Sequence, residues 1–239
     1  MDSLDALVRR RSRRSFLMGG LAAAAGIGGY TWVKTRGWED RQPWPLRRVL
    51  ELNEKLARGY ASDAHLARTY DASLAGDRVN EDIGLDDDIE AEDWRLRVDG
   101  GAASRSFTLA DIQALPRIDM VTEFKCIEGW SQIMRFTGAR LFDIVKLVQP
   151  KTTAYVGLET PNGKYYVSLD GESAMHPQTL LSYEMNGAAI SDDHGAPLRL
   201  AIPVKYGIKN LKRVGRIFFT DEKPKDYWAE RGYDWYAGL

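Results

Sequence analysis

A single cysteine in 239 residues, Cys126, excludes an internal disulfide, a CxxC zinc site and a cysteine-held iron–sulfur cluster, since each needs several thiolates. No C-x-x-C-H stretch occurs, so no haem is attached through that motif. Neither sign of charge dominates: 33 basic and 34 acidic side chains leave a net charge of -1. Without a global basic field, a role built on holding nucleic acid through its phosphates is excluded. There is no internal repeat, and no low-complexity tract beyond the amino end. What remains is ordinary, at 44% hydrophobic and 28% charged, enough to bury a core as one domain.

The amino end reads as a targeting device. Residues 1–11 are polar and increasingly basic, Arg13-Arg14 follows, and an apolar stretch runs from Leu17 to Val33. Charge, paired arginines and then a greasy segment is the order of a twin-arginine (Tat) export signal. Its glycines and its run of four alanines suit a weak signal segment better than a soluble core helix. Ala23 and Ala25 satisfy an A-x-A cleavage rule. The apolar run nevertheless continues to a length matching the roughly 17 to 25 residues of a bilayer span, so an uncleaved anchor is equally open. The Tat route carries folded proteins, often with a cofactor already inserted, which directs attention to cofactor ligands.

Beyond residue 37 the pattern is mixed, strand-rich in its second half and without the regular alternation of a doubly wound sheet. Trp44-Pro45-Leu46 opens a helix stopped by Gly59. Residues 80–93 are acidic and irregular. A strand is expected over 94–98, a short helix between Thr108 and Pro116, a strand over 118–124 ending at Cys126, and an apolar helix over 139–148 stopped by Pro150. Pro161-Asn162-Gly163 and Asn186-Gly187 mark hairpins, and the last strands fall at 198–202 and 213–220.

Two stretches carry chemistry. Cys126 follows a strand beside Lys125 and ahead of Gly129; a neighbouring lysine favours the thiolate, a soft metal ligand, whereas a lone cysteine also serves as a small buried hydrophobe. From His194 to Arg213, six basic or imidazole groups (His194, Arg199, Lys205, Lys209, Lys212, Arg213) sit among glycines and apolar residues. That density fits an anion such as phosphate, held by backbone N–H groups and charge-assisted hydrogen bonds, or else a strand pair with solvated basic positions.

Taken in order, the leader, Arg78-Val79-Asn80, Trp94-Arg95-Leu96-Arg97-Val98-Asp99-Gly100, Cys126-Ile127-Glu128-Gly129-Trp130-Ser131, Leu180-Leu181-Ser182-Tyr183-Glu184-Met185-Asn186-Gly187, His194-Gly195-Ala196-Pro197-Leu198-Arg199, Lys205-Tyr206-Gly207 and the run 209–212 resemble the molybdopterin-binding domain of the sulfite oxidase family. The likeness covers nearly all of residues 78–220. It is strongest to the bacterial Tat-exported branch that includes the catalytic subunit of the periplasmic methionine sulfoxide reductase system. The resemblance implies an α+β, sulfite-oxidase-type molybdopterin-binding fold, a strand-rich single domain with peripheral helices. Its parts would be a leader or anchor (1–37), a helical extension (38–77), the molybdopterin-binding oxidoreductase domain (78–222) and an aromatic tail (223–239). It also implies the molybdenum–molybdopterin cofactor, with Cys126 as the one protein thiolate on the metal and the catalytic residue. Asn80, Thr160, His194, Arg199, Asn210, Leu211 and Lys212 fall where the family contacts the pterin and its phosphate. His194 stands where the sulfoxide reductase branch has asparagine and sulfite oxidases proper have histidine.

The implied activity is a two-electron oxygen-atom transfer, with reduction of an S-oxide or N-oxide favoured over sulfite-type oxidation. Sulfite oxidases of animals and plants follow the cysteine with an arginine-containing stretch; here Glu128 and Trp130 follow, which an anionic substrate would meet unless Lys125 or Arg135 compensates. Electrons are expected from another protein, a membrane b-type haem subunit or a soluble cytochrome, serving a monomeric catalytic subunit in the periplasm or cell envelope after passage through the Tat translocase. Two other readings compete: a non-catalytic exported protein binding a pterin or another anion, and a thiol enzyme pairing Cys126 with His176 or His194. His176 otherwise reads as a surface or loop histidine.

Overall fold

A computed structural model describes residues 2–87 and 89–239, with side chains from residue 9 onward, and divides them into two compact units, Met1–Glu51 and Leu52–Leu239. The first unit holds α1 (Asp2–Lys34), the short hairpin β1 (Trp38–Glu39) and β2 (Gln42–Pro43), and the first half of α2 (Trp44–Tyr60). Within α1, Arg9–Lys34 is long and apolar enough to cross a membrane, and its side chains are exposed.

The second unit is mixed α+β. In chain order it contains β3 (Leu96–Asp99), β4 (Arg105–Phe107), α3 (Leu109–Gln113), β5 (Ile118–Lys125), β6 (Ser131–Arg140), α4 (Leu141–Val148), β7 (Tyr155–Glu159), β8 (Tyr166–Asp170), α5 (Gly171–Met175), β9 (Leu180–Met185), β10 (Ala188–Ala189), β11 (Arg199–Ala201) and β12 (Arg216–Thr220). One five-stranded sheet runs β10-β9-β6-β5 with β11 also on β9; the other runs β4-β3-β12-β7-β8. All pairs are antiparallel except β3 with β12, which are parallel.

Local chemistry places the breaks. Thr108 accepts from the Asp111 N–H at 3.1 Å and Asp111 returns the bond to the Thr108 N–H at 2.8 Å, a capping box that starts α3. The expected helix over 139–148 begins instead at Leu141, because Ser131–Arg140 forms the longest strand of the unit. That strand pairs on both sides, with β5 and with β9. At Gly138, beside a register shift, an added Cβ would lie 2.1 Å from the Leu181 carbonyl oxygen, so the close strand approach admits only glycine.

Alternating residues of the second sheet (Leu96, Val98, Val156, Leu158, Val167, Leu169, Ile217) form one core with Leu141, Ile144 and Val148 of α4. A smaller cluster of Met120, Met134, Phe136, Leu180 and Met185 lies on the first sheet. The segment after residue 222 belongs to the same unit: Trp235 and Tyr236 are buried, and the Tyr206 N–H donates to the Ala237 carbonyl at 2.9 Å.

Asp99 ties β3 to its parallel neighbour β12. Burial alone would raise its pKa, but hydrogen bonds from Ser104, Arg216 and Arg97 outweigh this and hold it at about 2, against an ordinary value of 3.8. The folded value lies below the unfolded one, so this stabilisation is complete above the unfolded value and is lost as pH falls through the folded value. Chemical denaturation followed between those two values is expected to show stability falling with acid, and Asp99→Asn is expected to flatten that slope. An unchanged slope in the variant would remove Asp99 from the account.

Candidate active site

The site is built where β5 ends. Residues alternate along β5, so Phe124 and then Cys126 face one cavity while Glu123 and Lys125 face the other side. The turn that follows is closed by the Cys126 N–H donating to the Trp130 carbonyl at 2.9 Å, with Gly129 at φ +90, a conformation that favours glycine. This turn fixes Cys126 beside a cavity of about 110 Å³.

Around the sulfur, Asn80 Nδ2 and Glu128 Oε2 each lie 3.7 Å from Cys126 Sγ. Trp130 Nε1 donates to the same Glu128 oxygen at 3.0 Å, and the Arg78 guanidinium lies over the Trp130 ring at 4.1 Å. Burial pushes the Cys126 thiol up, and Glu128 and Glu81 add to this. The sequence expectation that Lys125 favours the thiolate is not met, because Lys125 turns away and pairs with Glu123 at 3.6 Å. Arg135 does not compensate Glu128 either; it is engaged by Asp119.

The same cavity also carries cations. His194, Arg199, Asn210 and Lys212 line the cavity together with Cys126 and Asn80. Lys212 Nζ donates to three carbonyls, those of Asn80 at 2.6 Å, Glu81 at 2.5 Å and Asp193 at 2.8 Å, tying the 78–86 loop to the 192–212 segment and leaving its charge rather than a free donor to the cavity. Burial, with Arg199 nearby, brings Lys212 down to about 8. His194 is likewise lowered by burial and by Arg199, and its Nε2 lies 3.2 Å from the Asp77 carbonyl. Asn210 uses its amide on the backbone, accepting from the Ile202 N–H at 2.7 Å. Thr160 and Leu211 do not line this cavity. Leu211 is fully buried in the core, and the Thr160 hydroxyl bonds Asn162 at 2.8 Å near a separate shallow pocket.

Of the six cationic or imidazole groups between 194 and 213, three are engaged in ion pairs. Lys205 pairs with buried Asp170 at 3.4 Å, Lys209 with buried Asp226 at 2.5 Å, and Arg213 with Asp192 at 2.9 Å. Arg199 differs. Its guanidinium is buried, it donates one hydrogen bond to the His194 carbonyl at 3.1 Å, its Nε meets no acceptor among the described residues, and burial alone lowers it to about 10. A buried guanidinium without a carboxylate is costly unless an anion completes it. His176 is buried rather than at the surface, with Nδ1 accepting from the Gln178 N–H at 3.2 Å. Neither His176 nor His194 hydrogen-bonds Cys126 among the described residues, so the thiol–imidazole pair of a nucleophilic enzyme is not formed.

A mixed α+β body whose one sulfur meets no imidazole and lines a cavity together with an arginine that meets no carboxylate fits a cofactor-binding site better than a thiol enzyme. The chain belongs to the oxidoreductase molybdopterin binding domain family, whose model matches residues 83–228. It is 36% identical over 71% of its length to a protein from Azospira oryzae named as a putative protein-methionine-sulfoxide reductase subunit, YedZ1, and 30% identical over 66% of its length to the protein-methionine-sulfoxide reductase catalytic subunit MsrP of Campylobacter jejuni. It spans 62% and 60% of those relatives, so about three fifths of each. Among solved structures, the sulfane dehydrogenase SoxCD of Paracoccus pantotrophus matches with a TM-score of 0.53 at 22% identity, covering 57% of this chain and 40% of that one, a likeness of fold.

The family's cofactor fits the residues present. Among the described residues no group of three or more His, Cys, Asp or Glu is placed to hold a metal, so a metal here must bring most of its ligands with it, as a dithiolene-bound molybdenum does. The orphaned Arg199 Nε and the neighbouring Lys212 supply the positive charge that a pterin phosphate requires. Sequence reasoning named Glu128 but missed the second acidic group of the cavity. Glu81, in the irregular loop, has its carboxyl raised by burial and by Glu128, and only the fold brings the two together.

Proposed function

We propose that the chain is an exported molybdenum oxidoreductase that reduces an uncharged S-oxide, of the class of methionine sulfoxide. The observation that carries the substrate assignment is the Glu128 carboxylate 3.7 Å from the Cys126 sulfur. Any substrate reaching a metal on that sulfur passes a negative charge, and Glu81 adds a second acidic group to the same cavity. Sulfite would be repelled by the Glu128 carboxylate; a sulfoxide, dipolar but neutral, is not. The relatives named as methionine sulfoxide reductase subunits support the same direction.

Bound in this site, the molybdenum cofactor supplies a two-electron couple and a place for oxygen transfer. The chain's own residues divide the remaining work. Cys126 is the protein ligand to the metal and Asn80 Nδ2 is directed at its sulfur. Arg199, with the charge of Lys212 and with His194 beside it, would hold the anionic end of the cofactor, and Asn210 fixes the backbone of the loop they share. Reducing a sulfoxide to its sulfide takes up two electrons and two protons and releases the oxygen as one water. Glu81, its carboxyl raised by burial and by Glu128, is a group lining the cavity that can pass one such proton. Arg78 and Trp130 roof the entrance.

Export through the Tat route follows from the twin arginines Arg13-Arg14 ahead of the apolar part of α1, which serves as signal or membrane anchor in the cell envelope. Electrons come from another protein, a membrane b-type haem subunit or a soluble cytochrome. The test is an activity screen of molybdenum-loaded protein with methionine sulfoxide, dimethyl sulfoxide and trimethylamine oxide as acceptors and sulfite as donor. Turnover of an S-oxide with little sulfite oxidation is the expected result. Dominant sulfite oxidation would reverse the assigned direction, and loaded protein inert towards all of them would favour a non-catalytic pterin-binding role.

A further inference from the structure

Two aromatic residues of the segment after residue 222, Trp228 and Tyr233, line the cavity of Cys126. The chain is fixed on both sides of them. Buried Asp226 accepts from the Trp228 and Ala229 N–H groups at 3.2 and 3.1 Å through one carboxylate oxygen, and from the Ser168 N–H at 3.1 Å through the other. Farther on, Trp235 Nε1 donates to Ser168 Oγ at 2.7 Å. Between these anchors the backbone turns at Gly232, φ +101, and the Tyr233 N–H donates to the Trp228 carbonyl at 3.1 Å. The turn sets the two rings edge to face, with centroids 5.1 Å apart.

The lining of the cavity divides by exposure. Cys126, His194, Arg199 and Asn210 are buried, whereas Arg78, Glu128 and Tyr233 are exposed, Tyr233 at 37%. The groups suited to hold the cofactor are the inaccessible ones, and a substrate arriving from solvent meets the others. Trp228 is half-buried, and its indole N–H is engaged by the Tyr165 hydroxyl at 3.1 Å, which itself donates to the Ile208 carbonyl at 2.7 Å. Held in this way, Trp228 gives the cavity a ring rather than a donor. A phosphate gains nothing from such a surface. The carbon substituents of an S-oxide do, because they are apolar and sit on a sulfur with partial positive charge, which the face of an aromatic ring attracts.

We propose that Tyr233, backed by Trp228, is the specificity-determining residue of the site, its ring packing against a carbon substituent on the sulfur of the S-oxide and limiting how bulky that substituent can be. The inference rests on the S-oxide reductase reading above and adds to it the residue that chooses among S-oxides. The ring neither ligates the metal nor moves a proton. Its contribution is binding shared by ground and transition states, which shows in KM rather than in kcat.

The test compares methionine sulfoxide with methyl phenyl sulfoxide as acceptors for the molybdenum-loaded chain, in the parent, Tyr233→Ala and Tyr233→Phe, with molybdenum and pterin content measured on each. In Tyr233→Ala, kcat/KM for methionine sulfoxide is expected to fall about tenfold, through KM, while that for methyl phenyl sulfoxide holds or rises because its own ring fills the vacated space. Tyr233→Phe, which keeps the ring, is expected to restore the parent's ratio between the two acceptors. Tyr233→Ala with its cofactor retained and the parent's ratio unchanged would overturn the proposal and leave the reductase reading standing. Loss of molybdenum and pterin from Tyr233→Ala would also overturn it, by assigning the ring to the cofactor. A loaded parent inert towards methionine sulfoxide would remove the reductase reading and the proposal together.

Discussion

Replacing Arg199 with methionine is expected to separate folding from cofactor retention. The guanidinium is buried, has no carboxylate partner, and lines the same cavity as Cys126. In the cofactor-free protein its charge is met by one hydrogen bond to the His194 carbonyl and the face of Phe136, with no carboxylate, so Arg199→Met should unfold at the same or a higher denaturant concentration than the parent. In the loaded protein the same group completes a charge-assisted contact with an anion. Truncating one partner of such a buried pair costs about 2–5 kcal/mol, so cofactor affinity should fall by roughly 30-fold to several-thousand-fold. Paired measurements decide it: urea unfolding of the cofactor-free form, and molybdenum and pterin retained after gel filtration of the loaded form. A variant that loses stability but keeps its cofactor would make Arg199 a structural residue and move the anion site elsewhere.

Cys126→Ser carries the second large effect. The side chain is nearly isosteric and the turn that presents it is held by backbone hydrogen bonds from Cys126 and Gly129, so the fold should survive. A hydroxyl is a hard and poorly ionised donor where molybdenum prefers a soft one. Mutations at residues that merely support a metal ligand cost ~10–100-fold, and loss of the ligand itself should exceed that range in S-oxide turnover. The molybdenum's paramagnetic resonance should change or vanish at the same time. Unaltered resonance with unaltered turnover would show that the sulfur is not on the metal.

How much of this was legible in the sequence depends on whether the interaction was local. The helix opened by Trp44, the short helix after Thr108, and the hairpins at Asn162-Gly163 and Asn186-Gly187 are written in neighbouring residues, and each forms as read. The strand β6 escaped because its pattern is interrupted by Arg135 and Gly138, whose fitness depends on Asp119 and Leu181 far along the chain. The parallel pairing of β3 with β12 joins residues more than a hundred positions apart, and no local pattern specifies it.

The basic stretch shows the same limit at the site. By composition Lys205, Lys209 and Arg199 are equivalent. The fold brings Asp170 and Asp226 to the lysines and nothing acidic to the arginine, and this difference separates structural cations from the one that faces the cavity. Cys126 was legible through its singularity and its surrounding motif, whereas Glu81 and the stacking of Arg78 on Trp130 emerged only once the loop was placed against β6, where the Gly76 N–H donates to the Ile133 carbonyl at 2.9 Å.

Everything above turns on Cys126 and the Arg199 wall holding a molybdenum cofactor. Metal and pterin analysis of the wild-type chain, purified folded from a host competent to make molybdopterin, tests it most directly. The account predicts molybdenum and pterin in equal amounts, each stoichiometric with the protein. Folded protein from that host, carrying neither, would contradict it.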